Sequence, residues 1–163
     1  MPSDALVTLA ARVGAGLKAQ GLMLATAESC TGGWVAQAAT AIAGSSDWFE
    51  RGFVTYSNTA KQEMLGVSAG TLATHGAVSE QTAREMAAGA LARSRAQVAL
   101  AITGIAGPAG GSPDKPVGMV CFAWSRQNGA PLAQTRHFEG DRESVRRQAV
   151  LAALQGVLAL LEG

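Results

Sequence analysis

The sequence predicts an α/β fold: a single-domain, three-layer sandwich in which a mixed sheet is covered by helices. Segments with helical spacing alternate with short apolar runs of strand length, the pattern that sets helices on the faces of a largely parallel sheet. An Asn128-Gly129 pair between two strand-like runs adds one antiparallel hairpin late in the chain. A length of 163 residues suits one domain whose core forms without disulfides or a structural metal.

Each element has its own local reason. Ser3 can cap a first helix whose Leu6, Leu9, Ala10, Val13 and Leu17 recur at helical spacing, and Gly21 stops it. Residues 22–26, LMLAT, read as a short buried strand. Residues 34–44 follow Gly32 and Gly33 and read as a helix ended by Gly44. Residues 52–57, GFVTYS, form a strand. Residues 58–67 form a short helix with Asn58 as cap and Gly66 as stop. Residues 71–79 read as loop, after which Ser79 caps a helix with Ala83, Met86, Ala87, Ala90 and Leu91 on one side. Residues 97–102, QVALAI, are the central strand. The stretch 103–116 is a long loop carrying Gly104, Gly107, Gly110 and Gly111. Residues 117–124 and 132–138 are the hairpin strands. Asp141 begins a last helix whose apolar face carries Val150, Leu154, Val157, Leu158 and Leu161.

Composition excludes several function classes. Hydrophobic residues make up 48% against 15% charged, so the chain folds around a core and is not disordered. A formal net charge of +1 gives no broad basic surface, so nucleic acid is not an expected partner. Cys30 and Cys121 are far apart and form neither a disulfide framework nor a zinc signature. The start lacks a basic region before an apolar run, so no secretory signal is expected. The apolar C-terminal run is interrupted by Gln155 and falls short of the roughly 18 residues a bilayer span requires. A soluble, cytoplasmic protein with no membrane partner is expected.

Chemistry concentrates in a few stretches. In TAESCTGG, residues 26–33, a strand ends and a helix begins near Gly32 or Gly33. Backbone N–H groups at such a junction suit a phosphate or a developing oxyanion. Ser29 sits in the turn, where it is either an exposed nucleophile or, with Thr31, a helix cap. Its flanks, Ala27 and Thr31, do not make the G-x-S-x-G elbow. Cys30 is the rival nucleophile, but a cysteine enzyme needs a histidine. His75 and His137 lie in no recognisable motif, and packing is the favoured reading of Cys30.

In TYSNTAK, residues 55–61, Tyr56, Ser57 and Lys61 lie at a strand-to-helix junction. Lys61 is either a solvated surface lysine or, if burial lowers its pKa, the base that Ser29 lacks. Tyr56 could then relay a proton or orient the amine. The loop that starts at Thr103 should lie beyond the strand C-termini, where open sheets bind ligands. It matches neither the P-loop nor the dinucleotide fingerprint, and a plain surface connection stays open. Arg142 and Arg146 are four residues apart on a helix and either clamp a phosphate or pair with glutamates in solvent.

Taken together, ESCTGG, TYSNTAKQEMLGV, GAVSEQTAREMAAGA, TGIAGPAGGSPDKPVG and FEGDRESVRRQAV resemble the CinA C-terminal domain family over nearly the whole chain, from about Leu6 to Leu161. The family includes nicotinamide-nucleotide amidases. The resemblance implies hydrolysis of the amide of nicotinamide mononucleotide, a small-molecule nucleotide substrate, without metal or cofactor. It implies Ser29 as nucleophile, Lys61 as general base and Tyr56 as a supporting catalytic residue. It implies that Thr103 and the following glycines, Gly104 and Gly107, line the site, and it points to a homodimer. Backbone N–H groups from Cys30, Thr31, Gly32 and Gly33 are then the candidates for the oxyanion, and Arg142 and Arg146 those for the phosphate. Longer members carry a further N-terminal domain, so this chain is expected to be the stand-alone form. Ala109 and Ser112 depart from the family's loop pattern. A nucleotide-binding module without hydrolysis and a competence- or damage-linked interaction module are the alternatives.

Overall fold

The computed structural model describes residues 4–163, so the expected Ser3 cap lies outside the described residues. Five strands form one open sheet in the order β2-β1-β3-β4-β5. They are β1 (Leu24–Glu28), β2 (Phe49–Val54), β3 (Val98–Gly104), β4 (Met119–Arg126) and β5 (Leu132–His137). β1 pairs parallel with β2 and β3, whereas β3–β4 and β4–β5 are antiparallel, so the sheet is mixed as expected. The helices are α1 (Asp4–Ala19), α2 (Trp34–Thr40), α3 (Asn58–Leu65), α4 (Ala69–His75), α5 (Glu80–Ala92) and α6 (Arg142–Glu162).

Side-chain alternation along the strands gives the sheet two unlike faces. Leu24, Val98, Leu100, Ile102, Val120, Phe122 and Trp124 point to one face and pack on α1, α2 and α6. Ala25, Ala27, Ala99, Ala101, Cys121 and Ala123 point to the other and pack on α3, α4 and α5. Phe122 stacks on Trp124 with centroids 5.5 Å apart, and the indole N–H of Trp124 donates to Ala153 O of α6 at 2.9 Å. α6 is long and apolar enough by length and composition to cross a membrane. Its Val145, Ala149, Val150, Ala153, Leu154 and Val157 are instead buried in the core beneath the sheet.

The small-residue face lets α5 lie close to the sheet, and α3 lies close to α5. A Cβ placed on Gly89 of α5 would stand 1.9 Å from the carbonyl oxygen of Leu65, at the end of α3. Glycine is therefore what permits that crossing, and α3 carries Lys61.

Several boundaries differ from those expected. β1 starts at Leu24 because Leu22 N–H turns back to Leu17 O and closes α1. It runs on through the polar Glu28, which is fully buried. α2 ends at Thr40 rather than Gly44, with a short 3-10 turn at Ser45–Asp47 beyond it. β2 occupies residues 49–54, and the chain leaves the sheet at Thr55. Ser57, not Asn58, caps α3, accepting from Ala60 N–H. The stretch expected as loop, residues 71–79, contains most of α4. Its Gly70, Thr71 and Thr74 are weak helix formers. The helix is held by the Ser68 cap and by Glu85 of α5, which accepts from Ser68 N–H and Thr71 Oγ1.

β1 is where the connections change direction. The chain leaves it through α2 on one face to reach β2, then crosses the other face through α3, α4 and α5 to reach β3 on the opposite side. The C-terminal end of β1 is thus the topological switch point of the sheet, the place where open α/β folds form their ligand crevice.

Replacing Gly89 with alanine should destabilise the fold by about 1–3 kcal/mol through forced separation of α3 from α5. Denaturant unfolding will read this as a lower midpoint at unchanged slope.

Candidate active site

Ser29 is the first residue beyond β1, and its position is fixed from both sides. Its N–H donates to Ile102 O of β3 at 3.0 Å, while Glu28 O accepts from Thr55 N–H beyond β2 at 2.8 Å. Gly32 and Gly33 then take positive φ values of 57° and 103°, a backbone that side-chain-bearing residues rarely adopt, and reverse the chain into α2.

Neither Ser29 nor Thr31 caps that helix. The cap is the carboxylate of Glu28. Oε1 accepts from Thr31 Oγ1 at 2.7 Å, Gly33 N–H at 3.2 Å and Val35 N–H at 2.9 Å, and Oε2 accepts from Ala36 N–H at 3.0 Å. A buried anion on the free N–H groups of a helix start is favourable in charge as well as in hydrogen bonding. Glu28 was not among the expected site residues. The available signal was an acidic residue closing the apolar strand, separated from the glycine pair by Ser29, Cys30 and Thr31.

With the cap supplied by Glu28, the Ser29 hydroxyl is left to another partner. Lys61 Nζ lies 2.9 Å from Ser29 Oγ, although the two residues are 32 positions apart. Lys61 is only 1% exposed, which rules out the solvated-surface reading. Its amine also donates to Thr55 O at 2.9 Å and Tyr56 O at 3.4 Å. Its pKa is pushed below the ordinary lysine value by desolvation, against a smaller opposing effect of Cys30. Among the described residues its hydrogen-bond partners are carbonyls and a hydroxyl, and no carboxylate pairs with it.

Cys30 is a neighbour of a different kind. Burial pushes its thiol up to about 12, so it is not a thiolate near neutral pH. Neither histidine lines the cavity over Ser29.

That cavity has a volume of about 210 Å³ and is lined by Ser29, Lys61, Ala77, Val78, Thr103 and Ala106. Gly104, Cys30, Tyr56 and Arg142 also line it. Thr103 Oγ1 donates to Ala77 O at 2.8 Å, tying the end of β3 to the segment before α5. The Tyr56 hydroxyl accepts from Arg142 Nη2 at 3.2 Å, and its exposed ring stands at the rim of the cavity. Arg142 Nη1 donates to Gly107 O at 2.8 Å.

Arg142 and Arg146 do not share a ligand position. Arg146 turns away, donating from Nε to Cys30 O at 3.0 Å and from Nη2 to Thr31 O at 3.1 Å. Its guanidinium lies 5.4 Å over the Trp34 ring. Arg146 is thus engaged by the turn that holds Ser29, whereas Arg142 lines the cavity.

A buried serine–lysine pair at the switch point of this sheet accompanies a match of residues 6–161 to the CinA C-terminal domain. The chain belongs to the CinA C-terminal domain family. Among relatives within this family, nicotinamide-nucleotide amidohydrolase PncC of Escherichia coli K12 is 57% identical over 155 residues, covering 95% of this chain and 94% of that protein. The protein of the same name from Pseudomonas putida is 50% identical, covering 96% and 98%. The crystal structure of the competence/damage inducible protein CihA from Agrobacterium tumefaciens superposes with a TM-score of 0.94 at 51% identity, covering 98% of this chain and 96% of that one.

Glu28→Gln should lower stability by about 1–3 kcal/mol, because the amide sets an N–H donor against a helix N–H that needs an acceptor. An unchanged denaturation midpoint would show that the carboxylate does not pin the start of α2.

Proposed function

We propose that this chain is an amidohydrolase that converts nicotinamide mononucleotide to nicotinic acid mononucleotide and ammonia, a pyridine-nucleotide recycling step. The close relatives named nicotinamide-nucleotide amidohydrolase support the substrate class. The observation that carries the chemistry is the 2.9 Å contact between a buried lysine amine and Ser29 Oγ. A module that only bound nucleotides would gain nothing from a desolvated amine aimed at a hydroxyl.

In its neutral form the Lys61 amine has two N–H donors and one lone pair. The donors suit Thr55 O and Tyr56 O, and the lone pair accepts the Ser29 proton. Ser29 Oγ attacks the carboxamide carbon, and the carbonyl oxygen becomes an oxyanion held by backbone N–H groups of the turn after β1. Collapse breaks the C–N bond while Lys61 returns its proton to the departing nitrogen, releasing ammonia. Water, deprotonated by Lys61, then hydrolyses the acyl ester and restores Ser29. Every proton is carried by Lys61, and no metal is required by the scheme.

The cavity is smaller than the roughly 300–1,000 Å³ that encloses a drug-sized ligand. The carboxamide end enters it, and the ribose phosphate lies along the open side. Tyr56 and Arg142 stand at that rim, with Arg142 the cation that meets the phosphate.

Ammonia release should be abolished by Ser29→Ala and by Lys61→Ala with the fold intact, and kept by Cys30→Ala. Loss on Cys30→Ala with full activity on Ser29→Ala would sink the serine mechanism. The reactive amine must be unprotonated, so kcat/KM should rise with pH through an inflection below the ordinary lysine value of 10.5. An inflection at the ordinary value would remove Lys61 as the base. Among nicotinamide, its riboside and its mononucleotide, the mononucleotide should react best.

A further inference from the structure

The turn after β1 offers few N–H groups to a ligand. Ser29 N–H donates to Ile102 O, Gly32 N–H to Ser29 O, Gly33 N–H to Glu28 Oε1 and Trp34 N–H to Thr31 O. Among the described residues, the N–H groups of Cys30 and Thr31 donate to no other residue. Cys30 lines the cavity beside Ser29.

A trans peptide is planar, and its C=O and N–H point in opposite directions. Whatever holds the carbonyl of a peptide therefore aims the N–H of the same peptide. The Ser29–Cys30 peptide is held through Ser29 O by Gly32 N–H at 3.0 Å, a bond within the turn itself. The Cys30–Thr31 peptide has no such local support. Its carbonyl, Cys30 O, is held at 3.0 Å by Arg146 Nε, 116 residues further along the chain. The same guanidinium takes Thr31 O at 3.1 Å and rests over Trp34, the first residue of α2. A planar fork with fixed donors suits two adjacent carbonyls in a way that a single ammonium does not.

We propose that Arg146 is a positioning residue that orients the Cys30–Thr31 peptide so that the turn presents its N–H groups to the oxyanion. This rests on the amidohydrolase reading, with Ser29 as nucleophile. Arg146 touches no substrate atom. It acts from behind the turn and holds the peptide planes in place before charge develops, which is what makes such donors effective. α6 thereby contributes to both sides of the site, with Arg142 facing the cavity and Arg146 facing the backbone that forms its floor.

The test is steady-state ammonia release by the full chain carrying Arg146→Lys or Arg146→Met, with nicotinamide mononucleotide and with the phosphate-free riboside. The expected result is a fall in kcat of about 10²-fold, the scale of a lost oxyanion donor, with KM changed little. The fractional loss should be the same on both substrates, and the Lys61 inflection in the pH profile should not move. A rise in KM for the mononucleotide alone, with the riboside unaffected, would overturn the proposal and make Arg146 a phosphate ligand. Unchanged kinetics would overturn it as well. Thermal unfolding of both variants identifies a collapsed fold. If only the methionine variant unfolds, the lysine variant decides, and if riboside turnover is too slow to measure, the split between kcat and KM on the mononucleotide decides. Ser29→Ala is assayed in parallel. Full activity there means that the serine mechanism itself has failed, whereas an inactive Ser29→Ala beside fully active Arg146 variants removes only the role of Arg146.

Discussion

The buried carboxylate of Glu28 decides where the chain can turn after β1. It accepts the hydroxyl of Thr31 and three backbone N–H groups at the start of α2. A fully buried charge is tolerable only where donors surround it, and here the donors are those a helix start leaves open. The consequence for the site is indirect and large. Because Glu28 supplies the cap, Ser29 is released from that duty and its hydroxyl faces the opposite side of the strand, toward Lys61.

That opposition follows from the two-residue period of a strand. Glu28 points to the face that carries α2, while Lys61 arrives on α3 from the face lined by alanines. The carboxylate and the amine are therefore separated by the sheet layer and do not form an ion pair. Lys61 meets carbonyls and a hydroxyl instead, and desolvation pushes its pKa down. An ion pair in the same place would have stabilised the ammonium form. The small side chains of the second face matter for the same reason, since they let α5 lie close and bring α3, with its lysine, over the end of β1.

Much of the architecture is legible in the sequence because it rests on periodicity. The large-small alternation of VALAI and VCFAW belongs to strands with a helix layer on each face, and Asn128 takes a left-handed φ of 66° in the hairpin turn as its sequence suggests. α4 was not legible, because its support comes from Glu85 on another helix. The Ser29–Lys61 pairing could be expected only from the resemblance of several motifs in order. Spacing alone favoured a cap for Ser29 and a solvated surface for Lys61, since local rules see neither the competing cap nor the burial. The surroundings of Arg146 were hidden for a related reason. An arginine near a glycine-rich turn suggests an anion, and only the fold reveals that two of its donors meet the main-chain carbonyls of Cys30 and Thr31.

The sequence by itself determined the class of fold, the order of its elements and the stretches in which chemistry could reside, because alternation, capping residues and turn residues act over a few positions. Tertiary structure alone decided which of those residues meet. It set Glu28 on one side of β1 and Lys61 on the other, brought Arg146 of α6 behind the turn, and sent Tyr56 to the rim beside Arg142. Those outcomes depend on strand order and helix approach, which bring together groups that no short window of sequence contains.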